Sequence, residues 1–198
     1  MKKLLSVFLV GMLLFVLAAC TATKDAGSES SSGDSKKENA GKVLHLNNGA
    51  EPTSFDPPIG FDSYSWTALN NLMEGMTRLN ANREPEAAMA EKWDVSEDGK
   101  VYTFHIRDNA KWSNGDDVTA GDFVFAWKRL LNPETGSPAA FLGYFIEGGE
   151  AFNTGKGSAD EVKVAAKDEK TFEVTLTSPQ AYFLSVIANP AFFPINEK

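Results

Sequence analysis

The sequence feature that most constrains the fold is residues 101–131, where a strand pattern, a turn pattern and a helix start follow one another. Apolar and polar side chains alternate from Tyr102 to Ile106, which is the period of a strand with one buried face. Asn114-Gly115 then supplies residues that accept the backbone conformation of a tight turn. This part of the chain therefore predicts a strand followed by a turn.

A helix start comes after that turn. Thr119 can cap the helix, and the carboxylate of Asp122, three residues later, can reach back to the N–H of the cap and meets the positive end of the helix dipole. Apolar residues then recur at helical spacing and predict one buried aromatic face: Phe123, Ala126, Trp127 and Leu130. The strand and the helix are expected to share one core, and nothing between residues 101 and 131 indicates catalysis.

Charge and cysteine content limit the functions open to this chain. Its 198 residues, 42% of them hydrophobic, are enough for one ordinary domain core, or for one core and part of a second. A net charge of −8 argues against nucleic acid as a partner. One cysteine allows neither an internal disulfide nor a thiolate metal cluster. His45 and His105 lie in strand-like alternation, so surface or packed histidines are favoured over metal ligands.

The first residues are typical of an export signal followed by a tether. Two lysines precede an apolar run shorter than the roughly 20 residues of a membrane span, so residues 1–19 are predicted to be a signal peptide. The sequence Leu-Ala-Ala-Cys at 17–20 resembles the lipobox of bacterial lipoproteins, in which the cysteine, here Cys20, is acylated. The alternative is an ordinary signal peptide with a chance cysteine. Residues 20–41 are mostly small and polar and predict a flexible tether.

The remaining elements are predicted to be short. Residues 43–47 are expected to form a first strand, and Ser63 or Ser65 to cap a helix that ends at Gly75. Residues 87–93 are expected to form a short helix or turn. Further along, the patterns predict two hairpins, 93–107 and 162–176, extended pieces at 77–79 and 189–196, helix plus loop at 139–152, and a short helix at 181–187.

A series of short motifs, in a fixed order behind the lipobox, is similar to a known family. The motifs are EPTSFDP at 51–57, LMEGM at 72–76, AEKW at 90–93, YTFHIR at 102–107, KWSNG at 111–115, VTAGDFV at 118–124, and FEVTL at 172–176 with Pro179. Each is weak alone. Together they resemble the bacterial extracellular solute-binding proteins of family 5, which serve oligopeptide ABC importers.

The resemblance implies a mixed α/β fold of the type II periplasmic-binding-protein kind. Residues 42–198 would be the N-terminal part of the solute-binding domain. They would supply an incomplete first lobe, with a small β-rich subdomain inserted at about 74–193. It also implies a monomer on the outer face of the bacterial cytoplasmic membrane, or in the periplasm, with its lipid anchor on Cys20.

The function implied by the resemblance is capture of oligopeptides through their backbone in a cleft between two lobes. The peptide would pass to an ABC permease and, through it, to the ATPase subunits. No catalytic residue, cofactor or metal is implied. The alternatives are a related binding protein for dipeptides, sugars or a chelated metal, a secreted enzyme such as a glycoside hydrolase, and a structural or adhesive lipoprotein.

The resemblance also implies a set of ligand-contacting residues. The loop after the Asp-Pro motif lies along the cleft in the family, and here it corresponds to Phe61, Asp62, Ser63 and Tyr64. The alternative is that Phe61 and Tyr64 pack over the following helix. A second cleft segment can present a tyrosine in peptide-binding members, where this chain has Ala139. The same segment offers two aromatic residues nearby, Phe141 and Tyr144.

Other conspicuous side chains have simpler explanations. Three tryptophans could stack on a sugar, but Trp93, Trp112 and Trp127 are expected to be core or subdomain-interface residues. Asp56 precedes a proline and is expected to hydrogen-bond locally, and Asp116-Asp117 is expected to decorate a turn rather than bind calcium or act in catalysis.

Overall fold

The computed structural model describes residues 44–197. The predicted signal peptide, the tether and Cys20 lie outside the described residues. The chain divides into two units, Met1–His45 and Leu46–Lys198, and the contacts described below all lie in the second. Among the described residues, no helix is long and apolar enough to cross a membrane.

The described residues contain four α-helices and three turns of 3₁₀-helix. The α-helices are α1 (Ser63–Leu72), α2 (Ala120–Leu131), α3 (Gly149–Asn153) and α4 (Phe183–Val186). Turns of 3₁₀-helix occur at Pro133–Thr135, Ala140–Gly143 and Pro190–Phe192. The last of these lies within the piece predicted to be extended, because a proline at the first helical position starts a turn there.

The strands form two antiparallel sheets. The smaller sheet pairs β1 (Thr77–Leu79) with β2 (Pro85–Ala87). The larger sheet has the order β3-β4-β6-β5, from strands β3 (Ala90–Val95), β4 (Val101–Ile106), β5 (Val164–Ala166) and β6 (Thr171–Thr175). Both predicted hairpins are confirmed, and β4 and β6 are neighbours in the centre of the sheet.

Two further predictions about secondary structure are wrong. Residues 87–93 form no helix, because they contribute to β2 and β3 and pair with neighbouring strands. Residues 44–47 form no strand, because a strand needs a hydrogen-bonded neighbour and none pairs with this segment in the described part of the chain.

Helix α2 begins as the sequence predicts. The hydroxyl of Thr119 accepts a hydrogen bond from the N–H of Asp122, and the Asp122 carboxylate accepts one from the N–H of Thr119 at 2.8 Å. The same carboxylate accepts a hydrogen bond from Nε1 of Trp112 at 3.1 Å. These bonds fix where α2 starts, and its buried face then packs on the large sheet.

Trp127 lies at the centre of the core. Its side chain is 0% exposed, its ring centroid lies 4.8 Å from that of Phe172 on β6, and it meets Phe192 edge-on. Its Nε1 donates to the Phe192 carbonyl at 2.9 Å. The prediction of a core role is confirmed for Trp127, and Trp93 and Trp112 pack against the core as partly buried residues.

Candidate functional site

The Asp-Pro loop precedes the segment predicted to contact ligand. The carbonyl of Asp56 accepts hydrogen bonds from the N–H groups of Ile59 and Gly60, each at 2.9 Å, which closes a tight turn. The Asp56 carboxylate, however, accepts two hydrogen bonds from the guanidinium of Arg129, each at 2.6 Å. The expectation of a purely local role for Asp56 is therefore wrong, because its side chain pairs with a residue 73 positions away.

Asp62 caps helix α1. Its Oδ1 accepts hydrogen bonds from the N–H groups of Tyr64 (3.0 Å) and Ser65 (2.9 Å). Its Oδ2 accepts from the hydroxyls of Ser65 (2.6 Å) and Thr53. The prediction that Ser63 or Ser65 is the cap is wrong, because the longer carboxylate one residue before the helix reaches both free N–H groups.

Hydrogen bonding also fixes the charge of Asp62. The hydroxyl of Ser65, then that of Thr53, and then the backbone N–H groups of Ser65 and Tyr64 hold the pKa of Asp62 well below its usual range, although burial acts in the opposite direction. A carboxylate with a lowered pKa stays ionised through neutral and mildly acidic pH. The start of α1 therefore keeps its cap under those conditions.

Phe61 and Phe141 form an exposed aromatic surface, which the half-buried Trp66 supports. Phe61 meets Trp66 on α1 edge-on, with ring centroids 5.2 Å apart, and meets Phe141 edge-on at 6.0 Å. Phe61 remains 36% exposed and Phe141 remains 52% exposed. The structure thus brings together one residue from each of the two predicted ligand segments, and Phe61 also packs partly over the following helix.

Tyr64 and Ser63 are exposed on the first turn of α1. The Tyr64 ring lies against the backbone of Gly49, where an added Cβ would be 3.3 Å from the ring. The Tyr64 carbonyl accepts a hydrogen bond from the side-chain amide of Asn48 at 3.0 Å. This end of the segment therefore adjoins Asn48 and Gly49, which precede the Asp-Pro loop.

Tyr144 is placed differently from the other predicted site residues. It packs partly buried against the core, and its hydroxyl donates to Oδ1 of Asn153 on α3 at 2.7 Å. Asn153 in turn donates to the carbonyl of Leu131 at 3.0 Å. Ala139 is 1% exposed. Phe141 is thus the exposed aromatic side chain that this segment contributes beside Phe61.

Sequence reasoning missed two features of this region. Trp66 supports Phe61, and its spacing on α1 could have indicated this, because helical side chains lean toward the N-terminal turn. In the described part of the chain its Nε1 is buried without a hydrogen-bond partner. A groove of about 880 Å³ also runs between residues 46–52 and the far side of α1, where Ala68 and Leu72 line it.

The charged residues considered as metal ligands or catalytic groups form hydrogen bonds or ion pairs within the protein. The Asp116 N–H donates to Oδ1 of Asn114, and Lys111 pairs with Asp117 at 2.8 Å, so the acidic pair decorates a turn as predicted. Nε2 of His105 lies 2.8 Å from the Asp94 carboxylate on the neighbouring strand. Within residues 44–197 there is no group of three or more His, Cys, Asp or Glu residues that could hold a metal ion.

Comparisons with known proteins agree on one family. The profile of the bacterial extracellular solute-binding proteins, family 5 (middle region), matches residues 84–198. The dipeptide-binding protein DppE of Bacillus subtilis is 63% identical over 197 residues, which cover 100% of this chain and 36% of that protein. The oligopeptide-binding protein OppA of the same organism is 47% identical, again over 100% of this chain and 36% of the relative.

Solved structures are similar as well. Haemophilus influenzae OppA, in complex with the peptide RPPGFSPFR, is 40% identical and superimposes with a TM-score of 0.73 over 76% of this chain and 30% of that chain. An oligopeptide ABC transporter substrate-binding domain from Bacillus anthracis is 46% identical, with a TM-score of 0.71 over 72% of this chain and 28% of that chain. The predicted fold, part of a type II periplasmic binding protein, is confirmed.

The chain spans about a third of the length of the relatives it matches. Members of the family are extracellular or periplasmic solute-binding proteins. The family profile matches more than half of the chain. Three of the motifs quoted above, AEKW, YTFHIR and FEVTL, lie mainly on strands β3, β4 and β6. This chain belongs to the bacterial extracellular solute-binding proteins of family 5.

Proposed function

We propose that the protein captures oligopeptides for an ABC importer and performs no chemistry on them. In this proposal the chain supplies one side of a cleft between two lobes. The observation that carries it is the open aromatic surface: Phe61 and Phe141 come from different segments and meet at the surface instead of being sealed in the core. The names of the relatives, which include dipeptide- and oligopeptide-binding proteins, support the same conclusion.

The binding mode that suits many different peptides is pairing with the peptide backbone, because every peptide shares that backbone. Main-chain groups of Phe61, just before α1, would pair with the peptide, because the Asp62 and Ser63 carbonyls and the Tyr64 N–H are already bonded in the first turn of α1. The Phe61 and Phe141 rings would contact the apolar parts of the peptide. The guest's other side chains would lie in hydrated pockets, where waters adapt to each of them. Closure of the lobes around the peptide would then present it to the permease and, through the permease, to the ATPase subunits.

Dipeptides are a second candidate ligand. The relative that shares 63% identity with this chain is named a dipeptide-binding protein, whereas the relative at 47% is named for oligopeptides. Sugars and chelated metals are the remaining alternatives from the sequence analysis, and they are included as outcomes of the test below.

The anchor is a separate part of the proposal. After removal of residues 1–19, acylated Cys20 would hold a monomer outside the cytoplasmic membrane, with residues 20–41 as the tether. Several acyl chains on one cysteine give stable attachment, whereas one chain binds only marginally. Radiolabelled palmitate is expected to enter the wild-type protein in a bacterial host and not a Cys20→Ser variant. Equal labelling of both proteins would contradict the anchor.

Peptide capture can be tested in a hybrid protein. In this hybrid, residues 46–198 of the present chain replace the matching segment of the 63% identical B. subtilis relative. Calorimetric titration with dipeptides and with mixed peptides of about four to five residues is expected to give dissociation constants in the micromolar range or tighter. The peptide class that binds more tightly decides between the two candidates.

A matched pair of variants ties the binding to the aromatic surface. Phe141→Ala is expected to weaken peptide binding by about threefold to tenfold, because a rigid aromatic contact is lost. Phe55→Ala removes a similarly exposed phenylalanine outside that surface and is expected to leave binding unchanged. Retention of a sugar or metal complex but not of peptide would reject the proposal, and hydrolysis of the peptide without retention would favour an enzyme.

A further inference from the structure

Two side chains fasten the Asp-Pro turn to the rest of the molecule beside the aromatic surface. Arg129, in the last turn of α2, donates one hydrogen bond to each carboxylate oxygen of Asp56, at 2.6 Å in both cases. Ser137, in the loop after α2, donates its hydroxyl to the Pro58 carbonyl. Both attachments reach across more than 70 positions of sequence, with separations of 73 and 79 residues.

The turn leaves Phe61 little freedom. Its two internal hydrogen bonds, from Ile59 and Gly60 to the Asp56 carbonyl, make residues 56–60 one closed unit. The Gly60 backbone is also close-packed, because a Cβ there would lie 2.7 Å from the Ser54 carbonyl oxygen. Phe61 is the next residue, so its position follows from where the turn is held.

The Ser137 attachment also connects the turn to the segment that carries Phe141. The Ser137 hydroxyl oxygen accepts a hydrogen bond from the N–H of Ala139 at 3.1 Å, two residues before Phe141. Arg129 and Ser137 therefore hold the turn before Phe61 against the part of the chain that carries Phe141.

The Arg129–Asp56 pair has the geometry of a strong ion pair. The two parallel N–H···O bonds match the planar guanidinium to the carboxylate, and a lysine could not reproduce them. The side chains are 31% and 35% exposed, so water screens the pair only in part. The Asp56 carboxylate raises the pKa of Arg129 above its ordinary value, and a cation is favoured at the C-terminal end of α2.

We propose that Arg129 is a positioning residue for peptide binding. By holding Asp56 through both carboxylate oxygens, it keeps Phe61 in contact with Phe141, and the two predicted ligand segments present a single surface. Arg129 itself does not contact the bound peptide. This inference rests on the proposed function, but the contact between the two rings can be tested without any peptide.

The first test uses nuclear Overhauser effects between the Phe61 and Phe141 rings in the 198-residue chain. We expect this signal in the wild type and its loss in Arg129→Gln, while the core signal between Trp127 and Phe172 persists. Arg107→Gln is the matched control, because Arg107 pairs with Glu74 at 2.8 Å at similar exposure but touches no residue of the turn. Asp56→Asn is the second variant in case Arg129→Gln does not fold.

The second test measures peptide affinity in the hybrid protein described above. Arg129→Gln and Asp56→Asn are expected to weaken binding about tenfold, Arg129→Lys by less, and Arg107→Gln by less than about twofold. Persistence of the Phe61–Phe141 signal in Arg129→Gln would overturn the inference, and so would unchanged affinity after that signal is lost. If the unmodified hybrid binds no peptide, the proposed function fails, while the ring signal still decides whether Arg129 positions Phe61.

Discussion

Replacing Trp127 by alanine is expected to lower the free energy of unfolding of the chain by about 3 to 5 kcal/mol, the usual cost of removing a fully buried large aromatic side chain. The Trp127 ring packs between elements that are far apart in sequence, because its neighbour Phe172 belongs to β6 and its neighbour Phe192 to the 3₁₀ turn Pro190–Phe192. Because interiors are close-packed, these elements can collapse into the cavity only in part. Urea unfolding followed by far-ultraviolet circular dichroism measures the loss.

Two further variants separate the causes of that loss. Trp127→Phe keeps an aromatic ring but removes the Nε1–H that donates to the Phe192 carbonyl, and is expected to cost about 1 to 3 kcal/mol for the buried acceptor left unpaired. Trp93→Ala removes a partly buried tryptophan at the edge of the same core and should cost less than Trp127→Ala. If Trp93→Ala were the more damaging change, the core would not be centred on Trp127.

The segment from β4 to α2 could be predicted from sequence because its signals are local. Alternation in β4 determines which side chains are buried, and the burial pattern of the strand follows it without exception. The capping box depends on two residues three positions apart, Thr119 and Asp122, and the structure contains both of its hydrogen bonds. Each of these rules needs only the residues of the element itself.

Strand β3 shows why the prediction at residues 87–93 was wrong. Its sequence, Ala-Glu-Lys-Trp-Asp-Val, begins with residues that favour helices. It nevertheless pairs along its length with β4, and a ladder with a strong neighbouring strand outweighs a weak preference over a few residues. The strand that pairs with β3, namely β4, lies outside residues 87–93, from which the helix preference was judged.

The candidate site was predictable only in part, for the same reason. Its location on residues 61–64 and Phe141 came from the resemblance to the family, and ligand contact there stays a prediction. The Arg129–Asp56 pair could not be predicted, because neither residue has a local pattern that indicates the other across 73 positions. Long-range pairs of this kind become visible only once the fold is known.

Gly148→Ala is the second change expected to have a large effect, and no sequence motif indicated it. Gly148 has a φ of 79°, a backbone conformation that costs other residues about 1 to 2 kcal/mol. An added Cβ would also lie 2.3 Å from the Glu161 carbonyl oxygen and 2.7 Å from the Glu161 carbonyl carbon. Both are backbone atoms, so no side chain can rotate away, and a shift of the backbone is required.

The required shift would disturb the edge of the large sheet. Glu147, the preceding residue, donates its N–H to the Thr175 carbonyl at 3.0 Å and accepts from the Lys163 N–H at 2.9 Å, next to β6 and β5. Adding the overpacking cost to the conformational cost gives an expected loss of about 2 to 5 kcal/mol for Gly148→Ala. Urea unfolding measures the total, and faster hydrogen exchange at the Lys163 and Glu147 amides would place the damage at this edge.

Gly136→Ala is the control that isolates the close approach. Gly136 has a similar positive φ of 61°, but nothing lies within 4 Å of the position its Cβ would take. This variant should lose only the conformational part, about 1 to 2 kcal/mol. The difference between the two variants therefore measures the contact with residues 161–162. Equal losses would mean that the backbone at Gly148 does not approach Glu161 as closely as described, and the packing of β5 against this bend would need revision.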